Sequence, residues 1–172
     1  MPERKEKFIA DTMMGELARW LRILGYDVLY NRNYSDLQIL KIARASRRTI
    51  ITRDRGLHVK AIKNKIKSVY IHSDKIEYRL AELALKTNII LEADPSKSRC
   101  PECNGILTKI SNKDLVKDRV PPGALQAYDE FYLCVNCGKV YWEGSHWKNI
   151  KRILNNVKSI VKYNYNNSNK KY

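Results

Sequence analysis

The stretch Phe8–Tyr30, FIADTMMGELARWLRILGYDVLY, reads as strand, helix and strand in succession. Three apolar residues, Phe8, Ile9 and Ala10, stop on a carboxylate, Asp11. Apolar side chains return at Met14, Leu17, Ala18, Leu21 and Leu24, the spacing of one helix face, and Gly25 closes the run. DVLY (27–30) then reads as a second strand. A strand that looks buried yet ends in a carboxylate puts a charge at the rim of a sheet, and that residue organises the rest of the reading.

The alternation continues to about residue 94. YSDLQILKIARAS (34–46) opens with Ser35 or Asp36 as a helix cap and carries Ile39, Leu40 and Ala43 on one face. TIIT (49–52) is a β-branched third strand, and a short helix around Leu57–Ile62 leads to a fourth, SVYIH (68–72). DKIEYRLAELALKT (74–87) sets Ile76, Leu80, Leu83 and Ala84 at helical spacing. Short strands alternating with helices predict right-handed crossovers, an α/β domain with a mostly parallel sheet flanked by helices. In such a sheet all strand C-termini share one edge, where ligands bind at the point at which the strand order reverses. With the first and third strands as central neighbours, the order 2-1-3-4, Asp11 and Asp54 leave adjacent strands on that edge. Asp36, at the start of the helix after the second strand, is delivered to the same edge, whereas Asp27 begins its strand and belongs on the opposite one.

Each of the three has a simpler role open to it. Asp36 and Asp54 each stand where a helix cap is expected, and Asp11 competes with Thr12 for the same duty. Their convergence is what calls for chemistry: clustered carboxylates repel, so such a site needs raised pKa values or a cation. An oxygen-only ligand set suits Mg²⁺ or Mn²⁺, with water and substrate phosphate completing the octahedron. No glycine-rich phosphate loop competes, since the seven glycines are scattered, and His58 and His72 sit within helix and strand patterns.

The formal charge of +15 and a pI near 9.7 point to a polyanionic partner, nucleic acid before membrane. The charge is shared: residues 1–94 carry 19 Lys/Arg against 12 Asp/Glu, and residues 95–172 carry 14 against 6. MPERKEK at the start has no apolar core of a signal peptide, and no run of about 18 apolar residues occurs, so a cytoplasmic protein without a membrane span is expected. All four cysteines fall in two Cys-x-x-Cys pairs, Cys100/Cys103 and Cys134/Cys137, a pattern of metal ligation in a reducing compartment. Four thiolates close a tetrahedron around Zn²⁺ and leave no vacant position, so the expected zinc is structural. Around the second pair, Tyr128, Phe131, Tyr132, Tyr141, Trp142 and Trp147 interleave with Lys139, Lys148, Lys151 and Arg152. Such a mixture either stacks on single-stranded RNA or builds the core of a small ribbon, and about half of the rings are assigned to the core. EADPSKS (92–98) is the best linker. The organisation expected is an α/β domain over 7–94, a zinc ribbon over 95–152, and over 153–172 a helix that gives way to a disordered basic tail.

The segments KFIADTMMGELARWLRILGYDVLY, YSDLQILKIA, IITRDRGL, CPECNGIL and VPPGALQAYDEFYLCVNCGKVYWEGSHW resemble, in order and spacing, the PIN-like RNase family named for the C-terminal domain of the mut-seven exonuclease. The likeness covers about residues 7–152. It implies a PIN-like α/β domain followed by a zinc ribbon, and Mg²⁺- or Mn²⁺-dependent hydrolysis of RNA leaving 5′-phosphate and 3′-hydroxyl ends. The family's acidic residues carry over to Asp11, Asp36 and Asp54, with Asp74 a weaker fourth. Arg19, Arg22 and Arg53 also match, and with Lys139, Trp142 and Trp147 they are the candidate RNA contacts. The alternative in a different class is a non-catalytic RNA- or ribosome-binding protein on a PIN-like scaffold.

Overall fold

The computed structural model describes residues 6–168. Four short strands, β1 (Phe8–Ala10), β2 (Val28–Tyr30), β3 (Thr49–Thr52) and β4 (Ser68–Tyr70), form one parallel sheet in the order β2-β1-β3-β4. The crossovers are α1 (Gly15–Ile23), α2 (Asp36–Ser46) and α3 (Arg55–Lys63), and α4 (Ile76–Lys86) follows β4. Successive strand residues point to opposite faces, and both faces are covered. Phe8, Ala10, Val28 and Ile51 face Leu17, Leu21, Leu80 and Leu83, whereas Ile9 and Ile50 face Ile39, Ala43, Leu57 and Ala61 of α2 and α3.

The helix ends follow local chemistry. Ser35, not Asp36, caps α2: its hydroxyl accepts from Gln38 N, and the Gln38 side chain returns to the Ser35 amide, a reciprocal capping box. Gly15 starts α1 against Tyr30, and a Cβ there would stand 2.6 Å from the tyrosine hydroxyl. Two strands are shorter than the sequence suggested. β2 begins at Val28 because Asp27 turns to Arg48, and β4 ends at Tyr70 because the next residues fold over Glu82.

The second unit is an antiparallel sheet of β5 (Leu107–Ile110), β6 (Phe131–Cys134) and β7 (Val140–Tyr141), with the short helix α5 (Pro122–Ala127) between β5 and β6. Its core is small: Val116, Val120 and Phe131 are buried, with the Trp142 ring edge-on to Phe131. The first cysteine loop docks at the N-terminal edge of the parallel sheet. Asn104 Oδ1 accepts from Val28 N at 3.0 Å, Asn104 Nδ2 donates to Asp27 at 2.8 Å, and Arg99 N donates to Arg22 O at 2.8 Å.

Two expectations are corrected here. Arg22, a candidate RNA contact in the sequence, is 4% exposed, and its guanidinium donates to the carbonyls of Val28, Pro101 and Glu102. It fixes the cysteine loop to the α/β domain and has no face left for RNA. The disordered tail expected at the end of 153–172 is, through residue 168, part of α6 (Ser145–Ser168), a helix of 24 residues. Leu154 and Val157 of that helix are buried in the same core as Phe8 and Leu80, and Ile150, Ile153, Ile160 and Val161 pack beside them. An apolar stripe at helical spacing thus binds α6 to the α/β domain, and the Asn- and Tyr-rich segment continues the helix into solvent. Lys170 and Lys171 lie outside the described residues.

Candidate active site

Asp11 follows β1 directly and is 5% exposed. One carboxylate oxygen accepts from the Thr12 amide at 2.6 Å and the Thr12 hydroxyl at 3.2 Å, so Asp11 and not Thr12 caps the 3₁₀ turn Thr12–Met14. The other accepts from the Thr52 hydroxyl at 2.8 Å. Thr52 ends β3, is fully buried, and its oxygen also accepts from Asp54 N at 2.8 Å. One hydroxyl therefore joins the two aspartates that leave neighbouring strands. Asp54 caps α3 through Oδ1, which accepts from Leu57 N at 2.9 Å. Asp36 lies in the first turn of α2 and receives Lys60 Nζ of α3 at 2.9 Å. That hydrogen bond, and behind it the charges of Asp36 and Asp54, hold the Lys60 ammonium above its ordinary pKa.

Asp11 and Asp54 are thus joined through Thr52, and Asp36, paired with Lys60, lies on the same C-terminal edge of the sheet. Their oxygens do not gather as tightly as the cysteines do; among the described residues the cysteines are the one such group within 4.8 Å of one another. The donors still suit a hard cation, because Mg²⁺ keeps several waters and takes only one or two carboxylates directly. Asp11 has no cationic partner among the described residues: its bonds come from hydroxyls and an amide, all neutral donors, and Asp54 likewise forms no ion pair among them. Thr52 and Lys60 were not singled out in the sequence. The signal for Thr52 was a hydroxyl at a strand end two residues before Asp54; Lys60 gave none, since it looked like one more surface lysine.

Asp74, the weaker fourth, is exposed and engaged by Arg53 at 2.5 Å. Its loop is held from behind by Glu82 of α4, which accepts from His72 N, Ser73 N, the Ser73 hydroxyl and Lys86 Nζ, and faces His72 Nδ1 at 2.7 Å. Burial opposes ionisation of Glu82, but Lys86, His72 and Ser73 outweigh it and bring its pKa down to about 2. Because the folded value lies below the unfolded one near 4.3, Glu82 contributes its full stabilisation above that pH, and the contribution fades as pH falls toward 2. Glu82→Gln should therefore lower stability by about 2–3 kcal/mol at pH 7 and flatten the loss of stability between pH 4.5 and 2, read from urea melts across that window. An unaltered pH dependence would show that the cluster does not hold this loop.

Asp27 stands on the opposite edge, as its position at the head of β2 required. Burial opposes its ionisation, but Arg48, at 2.8 and 2.9 Å, and Asn104 outweigh it and hold the carboxyl below its usual range. The remaining candidate RNA contacts fall into place less uniformly. Arg19 pairs with Glu102 of the cysteine loop, and Lys139 Nζ reaches Glu102 at 3.7 Å. Trp142 and Trp147 are half-buried and line a small apolar cleft between ribbon and α/β domain, with Tyr132 and Tyr141, so these rings serve chiefly as packing.

Cys100, Cys103, Cys134 and Cys137 bring their sulfurs within 4.8 Å of one another, with Cys100–Cys137 at 3.6 Å and Cys103–Cys134 at 3.4 Å. Four Zn–S bonds of about 2.3 Å in a tetrahedron set sulfurs about 3.8 Å apart, so this group fits Zn²⁺. It sits beside Asn104 and Arg22, at the edge away from Asp11. No helix among the described residues is long and apolar enough to cross a membrane.

A sequence model of the Mut7-C RNAse domain matches residues 6–154, which take in both the acidic edge and the cysteine cluster. No curated protein matches, and no solved structure does.

Proposed function

Because the chain belongs to the Mut7-C RNAse domain family, we propose that its ribonuclease-type function is a metal-dependent hydrolysis of RNA phosphodiester bonds at the edge built by Asp11, Asp54 and Asp36. The observation that carries this reading is Asp11: a carboxylate 5% exposed, unpaired with any cation among the described residues, and joined through Thr52 to Asp54. A buried charge without a counter-charge is costly, and a divalent cation beside it removes that cost. Bound Mg²⁺ or Mn²⁺ would supply polarisation of the phosphoryl group and a water of lowered pKa. Asp11 and Asp54 would hold the ion, and Asp36 would join them on releasing Lys60. Thr52 keeps the Asp11 carboxylate in one orientation, and the Lys60 ammonium neutralises Asp36 when no metal does. Arg53, beside Asp54, offers a guanidinium to the substrate phosphate once it leaves Asp74. Zinc at the cysteine cluster has a structural role in this scheme, since four thiolates leave it no open position.

The second reading, an RNA- or ribosome-binding protein without turnover, draws on the Lys60–Asp36 pair, which already satisfies one of the three carboxylates. Incubating the purified chain with end-labelled single-stranded RNA, with and without Mn²⁺, separates the two. The expected result is fragments with 5′-phosphate and 3′-hydroxyl ends that form only with the metal. Retention of intact RNA on the protein under both conditions would select the binding reading.

A further inference from the structure

Three helices, α1, α2 and α3, end at the N-terminal edge of the sheet, and all three end in the same way. Just past each helix, directly after α2 and one residue later after α1 and α3, a residue takes a left-handed conformation, and the next amide reaches back five residues: Tyr26 N to Leu21 O, Arg48 N to Ala43 O and Ile66 N to Ala61 O, at 2.9, 3.0 and 2.9 Å. This turn is ordinarily made with glycine, because a Cβ is strained at positive φ. The first helix uses Gly25, at φ 87°, but the other two use Arg47 and Lys65, at φ 53° and 56°. Both strained positions carry a cation, and both line one cleft.

That cleft, about 1030 Å³, is open to solvent and is also lined by Lys7, Arg44, Lys67 and Arg99. Part of this charge is spoken for: Arg44 donates to Asn64 and Arg99 to the Asn104 carbonyl. The two carboxylates on the cleft are occupied as well, Asp27 by Arg48 and Glu6 by the Thr49 hydroxyl. Lys7, Arg47, Lys65 and Lys67 have no acidic partner among the described residues. Basic side chains often complement helix C-termini, but Lys7 and Lys67 precede strands, so helix ends do not account for the group.

We propose that this cleft is a second nucleic-acid surface, binding the phosphate backbone of single-stranded RNA on the sheet edge opposite Asp11. The proposal rests on the ribonuclease reading only for the identity of the polyanion. A strand of four residues is about 13 Å long, so one RNA chain can touch both edges. Arg47 and Lys65 hold strained turns where glycine would relax the fold, an exchange of stability for charge.

The test is Arg47→Gly/Lys65→Gly in the full chain, a pair of changes that relieves strain and so should fold. Binding of a fluorescein-labelled 20-nucleotide single-stranded RNA is followed by anisotropy across a salt series, without added Mg²⁺ or Mn²⁺. Losing two phosphate contacts should make the slope of log K against log salt shallower by about 1.4, a loss of about 25-fold at 0.1 M salt if the affinities converge near 1 M. The melting temperature should rise. The control is Lys158→Gln/Lys162→Gln on α6, the same charge change elsewhere, and should shift the slope less. An equal shift in the control reduces the effect to net charge and overturns the proposal, as does a wild-type slope retained in the glycine variant or a fall in its melting temperature. Because cleavage is not read, a failure here leaves the Asp11 reading standing, and a chain that binds but never cleaves leaves the cleft standing.

Discussion

Asp11→Asn is expected to reduce metal-dependent RNA cleavage by at least about a hundredfold while leaving the fold intact. Asparagine keeps an oxygen to cap the Thr12–Met14 turn, and the Thr52 hydroxyl can rotate to accept instead of donate, so what is lost is charge. Asp54→Asn should have the same effect for the same reason, since asparagine caps α3 about as well as aspartate does. Asp36→Asn is a cleaner test than the sequence alone allowed. Ser35 caps α2, so the substitution costs only an exposed pair with Lys60, and any large loss of cleavage reports on chemistry. Asp27→Asn is the control on the opposite edge. It should leave the chemistry untouched but lower stability, because Arg48, only 9% exposed, loses its carboxylate. Rates must therefore be compared well below the melting temperature of that variant. Loss of cleavage in Asp27→Asn with retention in Asp11→Asn would place the chemistry on the wrong edge of the sheet.

The strand order and the edge on which each aspartate falls were legible because they depend on period and punctuation. Apolar runs too short for helices, separated by stripes at helical spacing, leave few topologies with right-handed crossovers, and the order 2-1-3-4, chosen among them with the first and third strands central, is the one observed. The four cysteines were legible because thiolate pairs at that spacing have one common use. Arg22 was misread for a physical reason. An arginine beside an apolar stripe looks solvated unless one knows that three carbonyls, two of them about 80 residues away in the chain, converge on it. The reach of α6 was hidden likewise. Its polar end has low apolar content, and helical order there is inherited from Leu154 and Val157, whose partners lie on α4 and in the sheet. Thr52 and Lys60 belong to the same class, since what they do at the acidic edge depends on partners on other elements.

Cys103→Ser should unfold the ribbon without unfolding the α/β domain, and the path of the chain explains why. The ribbon buries few apolar side chains, Val116, Val120 and Phe131 with its inner cysteines and Tyr132, so zinc held by the cysteine cluster would supply most of its folding free energy, on the order of 10 kcal/mol for small Cys-rich units. Yet the chain returns to the α/β domain beyond the ribbon, because α6 packs on α4 and seals the core around Leu80. Loss of zinc turns residues 99–144 into a long loop between two docked segments, and the entropy of closing a loop grows only slowly with its length. Arg22 gives up the carbonyls of Pro101 and Glu102 but keeps that of Val28. Hydrogen exchange should accordingly show protection lost across 107–141 and retained in β1, β3 and the stretch 150–161. Residues 1–94 expressed alone are a different case. They leave bare the face that Leu154 and Val157 cover, and should be less stable than the full-length Cys103→Ser chain by several kcal/mol, the order expected for uncovering two buried aliphatic side chains and their neighbours. A single cooperative loss of all protection in Cys103→Ser, or a zinc content far from one per chain in the wild type, would mean that ribbon and α/β domain fold as one unit around something other than this cluster.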